Sequence, residues 1–509
     1  MKLRSIESAQ NGKMNKFAIP DEISHVTGAL EQAGFSAYLV GGCVRNLLLG
    51  EQPKDWDVTT SAKPEEIIKL FPKTFYENNF GTVTVVNEEI LETEPDELRK
   101  SLRNVEITPF RLEGKYSDKR HPDSVKFSEK LEDDLLRRDF TINALAYHVS
   151  EEKLTDLYDG VKDIRDRVIR AVGVPDERFG EDPLRILRGI RFSVQLNFTL
   201  ASETMDSMSK NSALISGISV ERIREELVKI ILSPNPMIGL VLCHKLGILK
   251  HFLPEVEEGV HVKQNGDHVY DVWEHTLRVL QHSADKNYSL EVRLACLFHD
   301  IAKPRTRDFN QEKQDYTFYG HEMLGAKMAK NILIRLKFSR ETVEKVVNLV
   351  RNHMFFSDTE QITLSAVRRI ITRVGRENIT NLLEVRWCDR IGMGRPKENP
   401  YRLRKFQAMI DEALHQPTSV GMLKIRGEEV IRETGLKPGP KIGYILHALL
   451  EEVLEKPELN ESGYLVKQAK NLAGMDEGEL KKLAEKGKDK IEELEQEALA
   501  EINRKHFVK

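Results

Sequence analysis

Up to about Asp176 the apolar positions change period repeatedly. Tyr38 to Gly42 (YLVGG) is a short apolar run ending in a glycine turn, and VRNLLL after it has helical spacing. WDVTT, GTVTVV (Gly81 to Val86) and VEITPF (Val105 to Phe110) alternate as half-buried strands do. NEEILETEPDELRKSLRN, at 87–104, is acidic and polar and reads as a surface insertion with helical character. Beyond Asp176 the strand pattern fades. SVERIREELVKIIL and VWEHTLRVLQHSA carry the 3–4 spacing of amphipathic helices, and that pattern continues to the end. The expected class is α+β: a small mixed sheet with helices, then a mostly helical remainder. Pro254, VKQNGDH and RPKENP (Arg395 to Pro400) punctuate the helical part. Asp476 to Lys509 reads as a Lys/Glu-rich helix with a solvated face.

Composition narrows this picture. At roughly 150 residues per domain, 509 residues make about three domains. Lys and Arg number 77 against 81 Asp and Glu, for a net charge of −4. That balance excludes a uniformly basic nucleic-acid coat and leaves room for a local basic groove. Nothing approaches the roughly 18 consecutive apolar residues of a membrane helix, and MKLRSIESAQNGKMNKF has no apolar signal-peptide core. Cys43, Cys243, Cys296 and Cys388 are far apart, which indicates neither a disulfide framework nor a zinc knuckle. The expectation is a reducing, cytoplasmic compartment and no membrane.

Asp55 and Asp57 are one residue apart on an expected strand, so period-2 geometry turns both carboxylates to one face. Two like charges there repel unless a cation sits between them, and a pair of carboxylates holding Mg²⁺ is what phosphoryl or nucleotidyl transfer needs. Upstream, Gly41-Gly42 lets the backbone approach a triphosphate, with Arg45 following at a helix start. Alone, a D-x-D is common on surface strands; the glycine pair and the arginine give it weight. Glu106 on the later strand is a candidate third carboxylate, and an exposed strand residue is the plainer alternative.

LVGGCVRNLLLGEQPKDWDVTT resembles the opening motif of the class II tRNA nucleotidyltransferase and bacterial poly(A) polymerase superfamily. RRDFTINALAY (Arg137 to Tyr147) resembles its second motif and DLYDGVKDIRDRVIR its third. EDPLRILRGIRF (Glu181 to Phe192) is similar to its nucleotide-selection motif, and SVERIREEL (Ser219 to Leu227) to the helix motif that follows. The resemblance implies that Gly41, Gly42, Arg45, Arg138 and Asp139 bind the incoming nucleotide and that Asp55 and Asp57 bind Mg²⁺. It also implies that Asp182, Arg185, Arg188 and Arg191 line the base-reading and phosphate-facing side of a neck helix. Residue chemistry agrees. Asp182 before Pro183 is a natural N-cap, and Arg185, three residues on, falls on the same face. Together they offer an acceptor and a forked donor to the edge that cytosine and adenine share; an intrahelical ion pair is the plainer alternative. Leu187, Ile190 and Val194 are the expected core side. Asn46 stands where the family usually has Asp. The charged segment from Arg111 to Arg137 resembles the flexible loop of enzymes that add both C and A, and its composition reads as a mobile surface loop.

A second set of candidate ligands lies downstream: His275 in VWEHTLRVL, His299-Asp300 in ACLFHDIAKP, His321 in FYGHE, His353 in VRNHM and Asp389 in RWCDRIG. Imidazole and carboxylate suit a divalent metal, and an adjacent His-Asp lets one residue bind while the other bridges two ions. This ordered set resembles the HD superfamily of metal-dependent phosphohydrolases, with Mn²⁺, Ni²⁺ or Co²⁺ as candidate metals; a degenerate structural module is the alternative. IRGEEVIRETGLKPGPKIGYILHALLEEV resembles, more loosely, the tail of bacterial CCA-adding enzymes. Gly439 between two prolines there reads as a rigid turn at a helix start.

The resemblance implies a nucleotidyltransferase head (16–150), a helical neck for nucleotide selection and RNA binding (151–258), an HD body (259–398) and a tRNA-binding helical tail (399–509). The expected activity is untemplated addition of C, C and A to tRNA 3′ ends from CTP and ATP, with HD phosphohydrolase activity beside it. The alternatives are a poly(A) polymerase or A-only enzyme, or an HD phosphohydrolase with an RNA-binding head.

Overall fold

The computed structural model describes residues 17–77, 81–87, 96–113, 125–266, 268–355, 362–414 and 420–508. By compactness these fall into two units, one of 17–353 with 381–396 and one of 354–380 with 397–508.

The first unit begins with a seven-stranded mixed sheet. Its strands are β1 (Ala37–Val40), β2 (Trp56–Thr60), β3 (Thr74–Glu77), β4 (Thr82–Val86), β5 (Asn104–Pro109), β8 (Leu145–His148) and β9 (Lys153–Asp156); β6 (Arg111–Glu113) and β7 (Val125–Phe127) form a separate hairpin. The order is β3-β4-β5-β2-β1-β8-β9, with β2 and β5 parallel and all other neighbours antiparallel. The Asp21–Gln32 helix buries Ile23, Val26 and Leu30 and packs on β1 and β2. Leu39, Val58, Val105 and Ile107 are buried in the sheet, each contributing roughly 1.5–3 kcal/mol of hydrophobic stabilisation. In the β2–β5 ladder Asp57 stands opposite Glu106, so both side chains share a face.

Two expectations about this region change. Asp55 lies in a bend one residue before β2 begins at Trp56, so only Asp57 is a strand residue. The 111–137 segment is not simply a mobile loop: outside 114–124, which lies beyond the described residues, it forms β6, β7 and the Leu131–Leu136 helix. Asp134 on that helix is fully buried, its carboxylate accepting from Arg137 (2.6 and 2.9 Å) and Arg138 (3.0 Å). Buried, paired charge orders the segment, and composition alone does not reveal pairing. Of the 87–104 insertion, Asp96–Arg103 is helical and Asn104 opens β5, while 88–95 lies outside the described residues.

Helices follow. In Leu184–Leu196, Leu187, Ile190 and Val194 are buried, as expected. Gly189 lets this helix approach the head, because a Cβ there would meet the Met208 side chain and lie 2.8 Å from Phe140 Cζ. Val272–Asp285, Leu290–Phe298, His321–Arg335 and Arg340–Asn352 build a helical core around the second set of candidate ligands. Asp271, Ser289 and Ser339 cap three of them, accepting from Glu274 N, Val292 N and Thr342 N. An antiparallel hairpin, Asp308–Asn310 with Asp315–Thr317, interrupts the mostly helical region.

In the second unit the Pro440–Glu455 helix packs against Ser462–Ala473 and Glu477–Lys505, burying Ile445, Leu449, Leu465 and Leu480. The C-terminal helix is therefore only partly a solvated face. Leu480 and Ala484, four residues apart, give it an apolar stripe, and Lys505 and His506 reach Asp411 at 2.6 and 2.9 Å. Among the described residues no helix is long and apolar enough to cross a membrane.

Candidate active site

The turn between β1 and the Gly42–Leu49 helix opens the first site. Gly41 has φ +79°, and a Cβ on it would stand 2.9 Å from Arg138 Nη1 and 3.7 Å from Asp57 Oδ2. The positive φ requires glycine here, whereas the Arg138 guanidinium, at the end of a flexible side chain, could give way. The N-terminal amides of that helix adjoin a cleft of about 410 Å³ lined by seven arginines and three aspartates. Such an excess of positive charge around backbone N–H groups suits a polyphosphate.

On the sheet side, burial pushes Asp57 up to about 6; Arg138 opposes the rise, while Glu106 and Asp55 add to it. Glu106 and Asp55 thus both act on Asp57 through space, and a divalent cation beside Asp57 would relieve that repulsion. Asp139 is buried, with Oδ1 accepting from Phe140 N (2.8 Å) and Asn143 Nδ2 (3.0 Å) and Oδ2 bound by Arg188 (2.6 and 2.8 Å). Burial works against its charge, yet Arg188 and Asn143 hold its pKa well below the usual carboxylate range. Both oxygens are engaged, so Asp139 organises the arginines in this structure. Asn143 carries the network on to Arg45, whose Nη1 lies 2.6 Å from its Oδ1, and Asn46 Oδ1 accepts from Arg45 Nε and Nη2 (3.2 and 2.9 Å). Asn46 is thus a direct partner of Arg45.

The neck side differs from the expected Asp182–Arg185 pair. Asp182 Oδ1 accepts from Leu184 N at 3.1 Å, a capping contact, but its ion-pair partner is Arg222. Arg185 turns instead to Glu181 (2.8 Å) and to the carbonyls of Arg178 (3.2 Å) and Arg137 (2.8 Å). Glu181 ends the preceding helix, Pro175–Glu181, and Asp182 after it is extended, so the chain turns the Glu181 carboxylate rather than that of Asp182 to Arg185, and three acceptors hold the guanidinium. Arg191 pairs with Glu226 at 2.6 Å. Asp182, Arg185, Arg188 and Arg191 all line the cleft with Gly41, Gly42, Arg45, Asp57, Arg138 and Asp139. Asn143, Phe192 and Arg222 join them; each stood inside a quoted motif, but without its partner.

The second set of ligands forms two groups of close donor atoms, His275, His299, Asp300 and Asp389, and Asp300, His321 and His353. All six residues are buried. Asp300 is common to both groups: Oδ2 lies 3.2 Å from Nε2 of His275 and of His299, and Oδ1 lies 3.4 and 3.7 Å from Nε2 of His321 and His353. Backbone carbonyls sit at the far nitrogens: Cys296 O at His299 Nδ1 (2.8 Å), Phe318 O at His321 Nδ1 (2.7 Å) and Val350 O at His353 Nδ1 (2.6 Å). With Nδ1 donating, Nε2 is the nitrogen left to offer a lone pair on His321 and His353, and the two Nε2 atoms stand 3.3 Å apart. Lone pairs so placed beside a carboxylate oxygen fit a metal ion. Sequence reasoning passed over Lys303, whose ammonium lies 2.6 Å from Asp300 Oδ2 and 2.7 Å from Gln264 Oε1, although it stood in ACLFHDIAKP. It also passed over His268, whose ring lies 5.3 Å from that of His275.

Comparison with known proteins matches this division of labour. The poly(A) polymerase head-domain family matches 37–170, the probable RNA and SrmB-binding site of polymerase A matches 197–259, and the HD domain matches 272–394. The CCA-adding enzyme of Ligilactobacillus salivarius is 32% identical over 458 residues, covering 89% of this chain and 98% of that protein. The CC-adding tRNA nucleotidyltransferase of Thermus thermophilus is 33% identical over 436 residues, covering 82% of this chain and 90% of its own. Among solved structures, the Bacillus stearothermophilus CCA-adding enzyme in complex with CTP aligns with TM-score 0.58 and 28% identity, over 89% of this chain and 96% of that one. Fold and cleft together define a nucleotidyltransferase with a poly(A) polymerase-type head and an HD domain. The chain belongs to the CCA-adding tRNA nucleotidyltransferase family.

Proposed function

We propose that the protein appends C, C and A to tRNA 3′ ends from CTP and ATP, releasing pyrophosphate, with side chains choosing the base in place of a nucleic-acid template. The observation that carries this reading is the cleft, where arginines, helix amides and Asp57 meet the Asp182–Arg222 pair. Asp55, Asp57 and Glu106 would hold Mg²⁺, which when bound activates the attacking 3′ oxygen and stabilises the leaving pyrophosphate. Arg45, Arg138, Arg188 and Arg191, with the amides at Gly42 and Cys43, take up the triphosphate's negative charge. Asp182 accepts from the exocyclic amine that cytosine and adenine share, and Arg185 or Arg222 donates to the adjoining ring acceptor. Pyrophosphate release tests this. It should require Mg²⁺, CTP and a tRNA lacking its 3′ end together; release without tRNA would overturn it.

A CC-adding relative at the same level of identity makes the final A the step on which readings part. A poly(A) polymerase or A-only enzyme remains the alternative of the same class.

The HD cluster supports a second activity, hydrolysis of a phosphate ester. His275, His299, Asp300 and Asp389 would hold one ion, and Asp300, His321 and His353 another, with imidazole favouring Mn²⁺, Ni²⁺ or Co²⁺ over Mg²⁺. Such ions would supply a metal-activated nucleophile when bound.

A further inference from the structure

The head and neck meet where Phe140 packs edge-on against Phe192, with ring centroids 5.9 Å apart at 82°. Phe140 thereby fixes the plane of the Phe192 ring, and Gly189 gives it room. Three cleft arginines gather on that ring: Cζ of Arg191 lies 4.0 Å from its centroid, Arg45 5.2 Å and Arg188 5.5 Å. Like charges this close repel. Arg188 and Arg191 have carboxylate partners in Asp139 and Glu226, whereas Arg45 donates to the neutral amides of Asn46 and Asn143. An aromatic face is negative and attracts guanidinium without neutralising it. A carboxylate in the same place would pair with the arginines and compete with a phosphate; a benzene ring does neither.

We propose that Phe192 is a positioning residue for the triphosphate: its π face gathers Arg45, Arg188 and Arg191 into one wall and keeps their charge available to the incoming nucleotide. The inference rests on the reading that the cleft holds a nucleoside triphosphate. Its consequence is selective. Weakening the ring's negative face lowers affinity for CTP and ATP, which bring three phosphates, far more than for CMP.

The test is calorimetric titration of the full-length protein with CTP, ATP and CMP in Mg²⁺, without tRNA so that no turnover occurs. Phe192 is replaced by phenylalanines carrying one, two and three ring fluorines, which withdraw density from the π face at nearly constant volume, and separately by leucine. The expected result is stepwise loss of CTP and ATP affinity with each fluorine, on the order of tenfold for the trifluorinated ring, with CMP nearly unchanged. Phe192→Leu should match the trifluorinated protein, and Phe192→Tyr should restore most of the affinity. Should the leucine protein fail to fold, the fluorinated series decides alone. Equal CTP affinity across that series, or equal losses for CTP and CMP, would overturn the proposal while the cleft reading stands. Failure of the unaltered protein to bind CTP would overturn both.

Discussion

Arg222 grips Asp182 through two nitrogens, with Nη1 3.2 Å from Oδ1 and Nη2 2.7 Å from Oδ2. A carboxylate held at both oxygens cannot swing, so its remaining lone pairs face the cleft in a fixed direction. Asp182→Ala and Arg222→Ala should each erode discrimination against UTP and GTP, by roughly tenfold or more, while tRNA affinity changes little. Single-turnover reactions with each of the four nucleotides measure this. Unchanged selectivity in both variants would remove Asp182 from base choice.

Asp55→Ala and Asp57→Ala should each abolish nucleotide addition with the fold retained. Asp57 shares a strand face with Glu106, whose charge pushes its pKa up against the pull of Arg138, and a bound divalent cation would relieve that repulsion. Losing one ligand should raise the barrier by several kcal/mol, about a thousandfold or more in rate. Near-normal turnover in Mg²⁺ with an unchanged circular dichroism spectrum would refute the assignment.

Asp139 predicts a pH signature in stability. Arg188 and Asn143 depress its folded-state pKa below the unfolded value of about 4, so its contribution is complete above that pH. The contribution falls away as pH drops from about 4 toward the lower folded-state pKa. Asp139→Asn leaves Arg188 without its buried partner and should destabilise the first unit by roughly 3–5 kcal/mol at neutral pH. Denaturant titrations of the two proteins should begin to converge below about pH 4 and meet only as pH nears the lower folded-state pKa. A gap independent of pH would mean that the ionised pair is not its source.

What was legible in the sequence was local. Gly41-Gly42, the His299-Asp300 pair and the apolar stripe of Leu187, Ile190 and Val194 each declare themselves within one turn or helix. Partnerships across the fold do not. Asp182 and Arg222 are 40 residues apart, and Arg45 and Asn143 are 98 apart. Their pairing depends on how the neck helices and the β1 turn converge, which no short period encodes. Arg185 shows the converse: a neighbour at favourable spacing is drawn away by Glu181 and by the Arg137 carbonyl from another segment. The hairpin at 308–317 was missed because its two strands are only three residues each, too short for alternation to register.

The HD cluster should be separable from nucleotide addition. Asp300 joins both ligand groups, so Asp300→Ala should remove Mn²⁺- or Ni²⁺-dependent hydrolysis of nucleoside 2′,3′-cyclic phosphates and leave addition to a clean tRNA end in place. Chelation followed by metal repletion should restore hydrolysis in the unaltered protein alone. Equal loss of both activities, or no hydrolysis with any of Mn²⁺, Ni²⁺ and Co²⁺, would contradict this.

The most direct measurement is to sequence the 3′ ends of a tRNA that lacks its last three nucleotides after incubation with CTP, with ATP, or with both. Ordered addition of C, C and A, as proposed, predicts ends in CC with CTP alone, ends in CCA with both, and no extension with ATP alone. Products that stop at CC when both nucleotides are present, or runs of A from ATP alone, would contradict the account.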